Sequence, residues 1–162
     1  MEYLQDNALD TADAINQINP DFIRMRTFAL KENQELYDDY ENGTLTRMDD
    51  IHVIKELIIF IENLNGIDSV LKSDHILNLI PDVEGSIKHD KEQMLKKLYD
   101  FLALERSEQI IYQVGRRVGN MKNIEDSKNT QRRRATLDII RDENINEKTI
   151  DKFVEERLNQ FI

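Results

Sequence analysis

Two short extended segments set the limits of this fold. One covers residues 22–29 and the other residues 68–73, and the stretches around them read as helix. In the first, Phe22, Arg24, Arg26 and Phe28 fall on one side, and Ile23, Met25 and Thr27 on the other. Asn19-Pro20 opens it, because proline forces the preceding residue out of the helical region. The order is helix, strand, helix, strand, which argues for parallel βα units. Two parallel strands do not make a stable sheet alone. The pattern therefore predicts that further strands complete the sheet, from an upstream segment or from another chain.

Apolar periodicity places the helices. Leu4, Ala8, Ala12, Ile15 and Ile18 recur at helical spacing over residues 5–18. A short helix over 33–42 ends at Gly43, a natural left-handed cap. Ile54, Leu57, Ile58, Ile61 and Leu64 form one stripe over 50–64, closed by Asn65-Gly66. His75 to Leu79 reads as one further helical turn before Pro81. Beyond residue 88 the chain reads as helix throughout: 90–104, 107–118, 130–141 and 147–161. Gly119 to Asn129 is the expected hinge. The expected architecture is α/β and helix-rich. It has about two parallel strands, followed by a C-terminal helical region. The expected organisation is 1–85 as βα units, 86–120 as a helical extension packed on them, and 121–162 as a charged helical segment.

Charge narrows the partners. With 32 acidic and 22 basic residues the formal net charge is −10, which disfavours nucleic acid and anionic lipid. The longest apolar run, Leu57 to Ile61, is far short of a membrane span. The acidic start MEYLQDNALD has no apolar signal region, so the cytoplasm is the expected compartment. No cysteine occurs, which excludes disulfides and thiolate metal sites within these residues.

The candidate chemistry lies on the two extended segments. Arg24 and Arg26 share a strand face. Lining a polar cavity, they would grip a carboxylate or phosphate through paired hydrogen bonds. At a solvated sheet edge, they would instead pair with nearby acids. Lys72, Ser73, Asp74 and His75 end the second strand, where ligands gather in parallel α/β folds. His75 there is an acid, a base or a donor, or else a histidine at a helix start capped by Ser73 or Asp74. His52, His75 and His89 show no metal-ligand spacing, and no phosphate-binding glycine loop or nucleophile elbow occurs. Arg116-Arg117 and Arg132-Arg133-Arg134 sit in a strongly negative chain and lack interleaved aromatics. They read first as helix faces making local ion pairs, and only second as an RNA contact.

The run ALDTADAINQINPDFIRMRTFAL, the excursion ELYDDYENGTLT, the helix KELIIFIENLNGI and the turn SVLKSDHILNLIPDVEGSI resemble the C-terminal half of radical S-adenosylmethionine proteins of the Fe–S oxidoreductase type. The likeness continues through HDKEQMLKKLYDFLAL and QVGRRVG, and so spans about residues 7–119. DFIRMRT and SDHILNL carry most of its specificity. The resemblance implies that this chain is a partial (βα) barrel remnant, part of an open βα barrel whose other half holds the CxxxCxxC loop, a [4Fe–4S] cluster and much of the S-adenosylmethionine site. It implies that Arg24, Arg26, Thr27, Ser73, Asp74 and His75 face substrate or S-adenosylmethionine, with no metal ligand among them. It also implies a truncated or split protein that binds no cofactor alone. Such a chain pairs with an N-terminal half in trans or self-associates. The competing reading is a non-enzymatic, acidic, helical protein-interaction module.

Overall fold

In chain order the elements are α1 (Glu2–Ile18), β1 (Phe22–Arg24), α2 (Glu35–Glu41), α3 (Asp50–Asn63), β2 (Val70–Lys72), β3 (Gly85–Ser86), α4 (Ile87–Leu102), α5 (Arg106–Arg117), a 3₁₀ turn (Ile124–Lys128), α6 (Thr130–Asp142) and α7 (Ile150–Gln160). The computed structural model describes residues 2–28 and 34–160, the side chains of residues 2–4 and 35 excepted. Packing divides the chain into two units, residues 1–26 with 50–104, and residues 27–49 with 105–162.

In the first unit, α1 packs on α3 and α3 on α4. Ala8 and Ala12 are fully buried, and their small side chains let α1 approach α3 closely. Ile54, Ile58, Ile61 and Leu64 are buried as the helical stripe predicts. Ile18 departs from its expected face and is 68% exposed. It lies at the last residue of α1, where the chain already turns toward β1. The Leu4 side chain lies outside the described residues.

Asparagines set the strand geometry. Asn16 donates to the carbonyl of Asn63 at 2.7 Å and accepts from the backbone of Asn65 at 2.8 Å. Asn19 takes a left-handed φ of 45° and accepts from the Asp68 amide at 3.0 Å. Asparagine tolerates that conformation better than most residues. The end of α1 is thus fastened to the end of α3, and the strands after them start side by side. Lys91 reinforces the joint. Its amine donates to the carbonyls of Glu62 and Leu64, both at 2.8 Å, satisfying acceptors left open at the end of α3. Burial lowers the pKa of this amine, and the nearby Glu62 carboxylate opposes that shift.

The sheet order is β1-β2-β3. β1 and β2 are parallel, with Phe22 opposite Val70 and Arg24 opposite Lys72. β3 is antiparallel to β2, a strand of two residues too short to leave an alternating signal. It begins at Gly85, whose φ of 147° suits glycine, and a Cβ there would meet the Asp90 side chain at 2.7 Å. His75 to Leu79 forms a turn rather than helix, closed by the Asn78 amide on the His75 carbonyl at 3.0 Å.

The second unit holds α2, α5, the 3₁₀ turn, α6 and α7. α5 packs against both α6 and α7. Ile110, Ile111 and Val114 are buried, and so are Gln109, Tyr112, Gln113 and Arg117. α5 is therefore enclosed on more than one face. Gly115 allows Met121 to fold back on it, with the Met121 amide on the Gly115 carbonyl at 2.9 Å. The expected hinge over 119–129 holds the 3₁₀ turn, capped by Asn123, whose side chain accepts from the Asp126 amide. Phe161, an apolar position of the helix expected over 147–161, lies outside the described residues. Residues 86–104 group with the strands, and 105–120 group with the C-terminal helices.

Candidate functional site

The parallel pair sets two different edges on β1. The Val70 amide donates to the Asp21 carbonyl at 3.0 Å, and the Met25 amide to the Lys72 carbonyl at 2.9 Å. In an evenly spaced parallel ladder, the N–H and C=O of Ile23 then point to β2. Those of Phe22 and Arg24 point the other way, to the outer edge. Among the described residues no strand pairs there.

The two faces of the sheet differ as sharply. Leu71 is fully buried and Ile23 half-buried, whereas Phe22, Arg24 and Lys72 are exposed. The alternation continues past β1, with Met25 half-buried and Arg26 exposed. Register puts Arg24 and Lys72 on the same face. The Asp74 carboxylate lies 3.4 Å from the Arg24 guanidinium, with both side chains about half exposed. The Arg24 guanidinium also lies 5.8 Å from the centre of the Phe22 ring. Among the described residues no acid pairs with Arg26. The result is a solvent-facing sheet surface carrying three cations, one carboxylate and an aromatic ring.

Behind it, the C-terminal ends of the strands are tied by buried polar groups. Asn78 donates one side-chain amide to the Met25 carbonyl at 3.1 Å and to Ser73 Oγ at 3.0 Å. Ser73 and Asn78 are both buried, and the Ser73 amide points to Glu84 Oε2 at 3.4 Å. His75 is half-buried, and among the described residues its buried Nδ1 has no hydrogen-bond partner.

Of the six residues expected from sequence, Arg24 and Asp74 are brought into contact. Ser73 serves the strand-end network, and Arg26 lies on the exposed face with no acidic partner among the described residues. Thr27 is half-buried and groups with the second unit. Sequence reasoning missed Glu84, which follows no periodic pattern. It also missed the bridging role of Asn78, which only the turn before Pro81 creates.

Other polar clusters are consumed structurally. Arg132 donates to Asp126 at 2.8 Å, and Arg133 grips Glu108 with two bonds of 2.6 Å. That grip holds the Glu108 carboxyl below its usual range and raises the guanidinium. A backbone hydrogen bond from Lys122, aided by Arg132, lowers Asp126. Arg134 is exposed. A depression of about 350 Å³ at the end of α3 is lined in part by Lys88 and Lys91. Lys88 pairs with Asp68 at 2.9 Å, and Lys91 is held by carbonyls, so neither amine is left over for a ligand. Among the described residues no group of three or more His, Asp or Glu side chains is placed to hold a metal ion. No described helix is long and apolar enough to cross a membrane. Comparison with family models, curated proteins and solved structures finds no match to this chain.

Proposed function

We propose that this chain forms the later βα part of an open barrel and acts as its substrate-side wall, completed by strands that pair with the outer edge of β1. The observation that carries the reading is the asymmetry of the sheet. β2 is closed on one side by antiparallel β3, so a parallel sheet extends only from β1. The crossover from β1 to β2 runs through helix, as parallel neighbours require. The helix-covered face is apolar, and the opposite face carries Arg24, Lys72, Arg26 and Asp74, in keeping with a polar lumen.

The likeness of DFIRMRT and SDHILNL to radical S-adenosylmethionine Fe–S oxidoreductases supports a completing half that bears the cluster. The residues present do not fit that cluster themselves, because the chain holds no cysteine. No step of radical chemistry is assigned to them, and on this reading the chain alone does not catalyse.

The test is immunodetection in source cells with an antibody raised against α6 and α7. A band well above 19.1 kDa that contains a CxxxCxxC segment supports the reading. So does a 19.1 kDa band in stable complex with a CxxxCxxC-bearing chain. A 19.1 kDa band in cells where no such chain accompanies it overturns the reading and favours an independent helical interaction module.

A further inference from the structure

We infer that the strand accepted by the outer edge of β1 is an extended segment with carboxylates at alternate positions, seated beside Arg24 and Arg26. The inference rests on the edge-pairing reading above and adds the chemistry of the partner.

Backbone groups of Phe22 and Arg24 supply the pairing direction, as in any strand addition. Specificity then comes from side chains, because those of an added strand fall on the two sheet faces in alternation. On the exposed face they meet Phe22, Arg24 and Arg26 in turn. Alternate positions of a strand are about 7 Å apart. That matches the spacing between carboxylates two residues apart on the incoming strand. Neighbouring Lys72 adds a third cation on the same face. The acids to set against them are few: Asp74 engages Arg24 at 3.4 Å, and Glu84 is directed to the Ser73 amide. Arg26 has no acidic partner among the described residues. Packing of Arg24 against the Phe22 ring limits where its guanidinium points, so part of the ordering cost is met before the partner arrives.

The net charge of −10 does not defeat this. Cross-strand side chains sit about 5 Å apart. Charges farther off than about 8 Å are largely screened at physiological salt. The local cations therefore decide. A second copy of this chain sets like charges against each other in two of its registers. In the twofold registers centred on Arg24 or on Met25, guanidinium meets guanidinium, which is unfavourable for directly opposed like charges.

The experiment uses the full chain and two labelled probes, an eight-residue peptide of alternating glutamate and valine and its lysine–valine counterpart. Anisotropy gives affinity, and amide chemical shifts give location. The expected result is about tenfold tighter binding of the glutamate peptide, with the largest shifts at Phe22 to Met25. Arg26→Glu removes that preference, and Arg24→Gln weakens it while leaving the edge accessible. Equal binding of both peptides at β1 overturns the acidic specificity and leaves edge pairing standing. Binding of neither peptide overturns both. Concentration-dependent dimerisation that shifts the β1 amides overturns the acidic partner in favour of a second copy.

Discussion

Arg24 and Asp74 meet at 3.4 Å beside the C-terminal ends of two parallel strands, yet both side chains remain about half exposed. An ion pair so well solvated contributes little to stability. Its importance is that Asp74 occupies a guanidinium that an incoming carboxylate would use. Replacing Asp74 by Asn is expected to change unfolding free energy by no more than about 0.5 kcal/mol. It should tighten binding of an acidic strand. Urea unfolding and peptide titration of Asp74→Asn check both halves.

The buried strand-end network behaves oppositely. Asn78 bridges the Met25 carbonyl and Ser73 Oγ with a single amide group. Asn78→Ala leaves that carbonyl and hydroxyl without their partner in a buried setting. A loss of about 1–3 kcal/mol is expected, read from the urea midpoint. Asn78→Asp should cost at least as much, since a carboxylate cannot donate to the carbonyl.

Gly115 is a test of packing in the second unit. A Cβ built there lies 2.6 Å from Met121 Sδ and 2.8 Å from its Cγ, and Met121 is fully buried. Gly115→Ala therefore overpacks the site, with an expected loss of about 1–3 kcal/mol. Combining it with Met121→Ala should recover part of the loss. Strictly additive losses in the double variant would contradict the clash.

Acid should weaken the second unit. Glu108 and Asp126 both have folded pKa values held below the usual carboxylate range, Glu108 chiefly by its hydrogen bonds from Arg133 and Asp126 chiefly by the Lys122 amide. Lowered carboxylates bind protons less readily when folded than when unfolded. Their stabilisation is thus fully present above about pH 5 and is lost as pH falls through the lowered values. Unfolding midpoints of the wild type should fall from pH 6 to pH 3. Glu108→Gln should fall less steeply over the same range. Identical slopes would remove the Arg133–Glu108 pair as a source of acid sensitivity.

Periodicity made the helices and the two parallel strands legible, because each repeats an apolar residue at the spacing of its own geometry. Ile54, Ile58 and Ile61 are buried where the 50–64 stripe puts them, and β1 and β2 fall within 22–29 and 68–73. The alternation of Phe22, Arg24 and Arg26 against Ile23 and Met25 was equally readable, although β1 itself spans three residues. What the periodicity did not carry was contact between distant polar groups. β3 is two residues long, below any repeat. Lys91 capping α3, Asn19 holding Asp68 and Asn78 bridging two strands all depend on tertiary placement. Arg117 and Gln113 look like surface residues in sequence and are buried in α5. The division into two units was hidden for the same reason: residues 27–49 group with helices that begin at residue 106.

β1 is paired with β2 on one edge and, among the described residues, unpaired on the other. Amide hydrogen exchange of the isolated chain, resolved residue by residue, tests it most directly. Slow exchange is expected at Ile23 and Met25, whose amides face β2, and fast exchange at Phe22 and Arg24. Adding the glutamate–valine peptide should slow those two outer amides. Equally fast exchange at all four residues would mean that β1 is not a strand in solution. Slow exchange at Phe22 and Arg24 in the unpartnered monomer would mean that the outer edge is already closed.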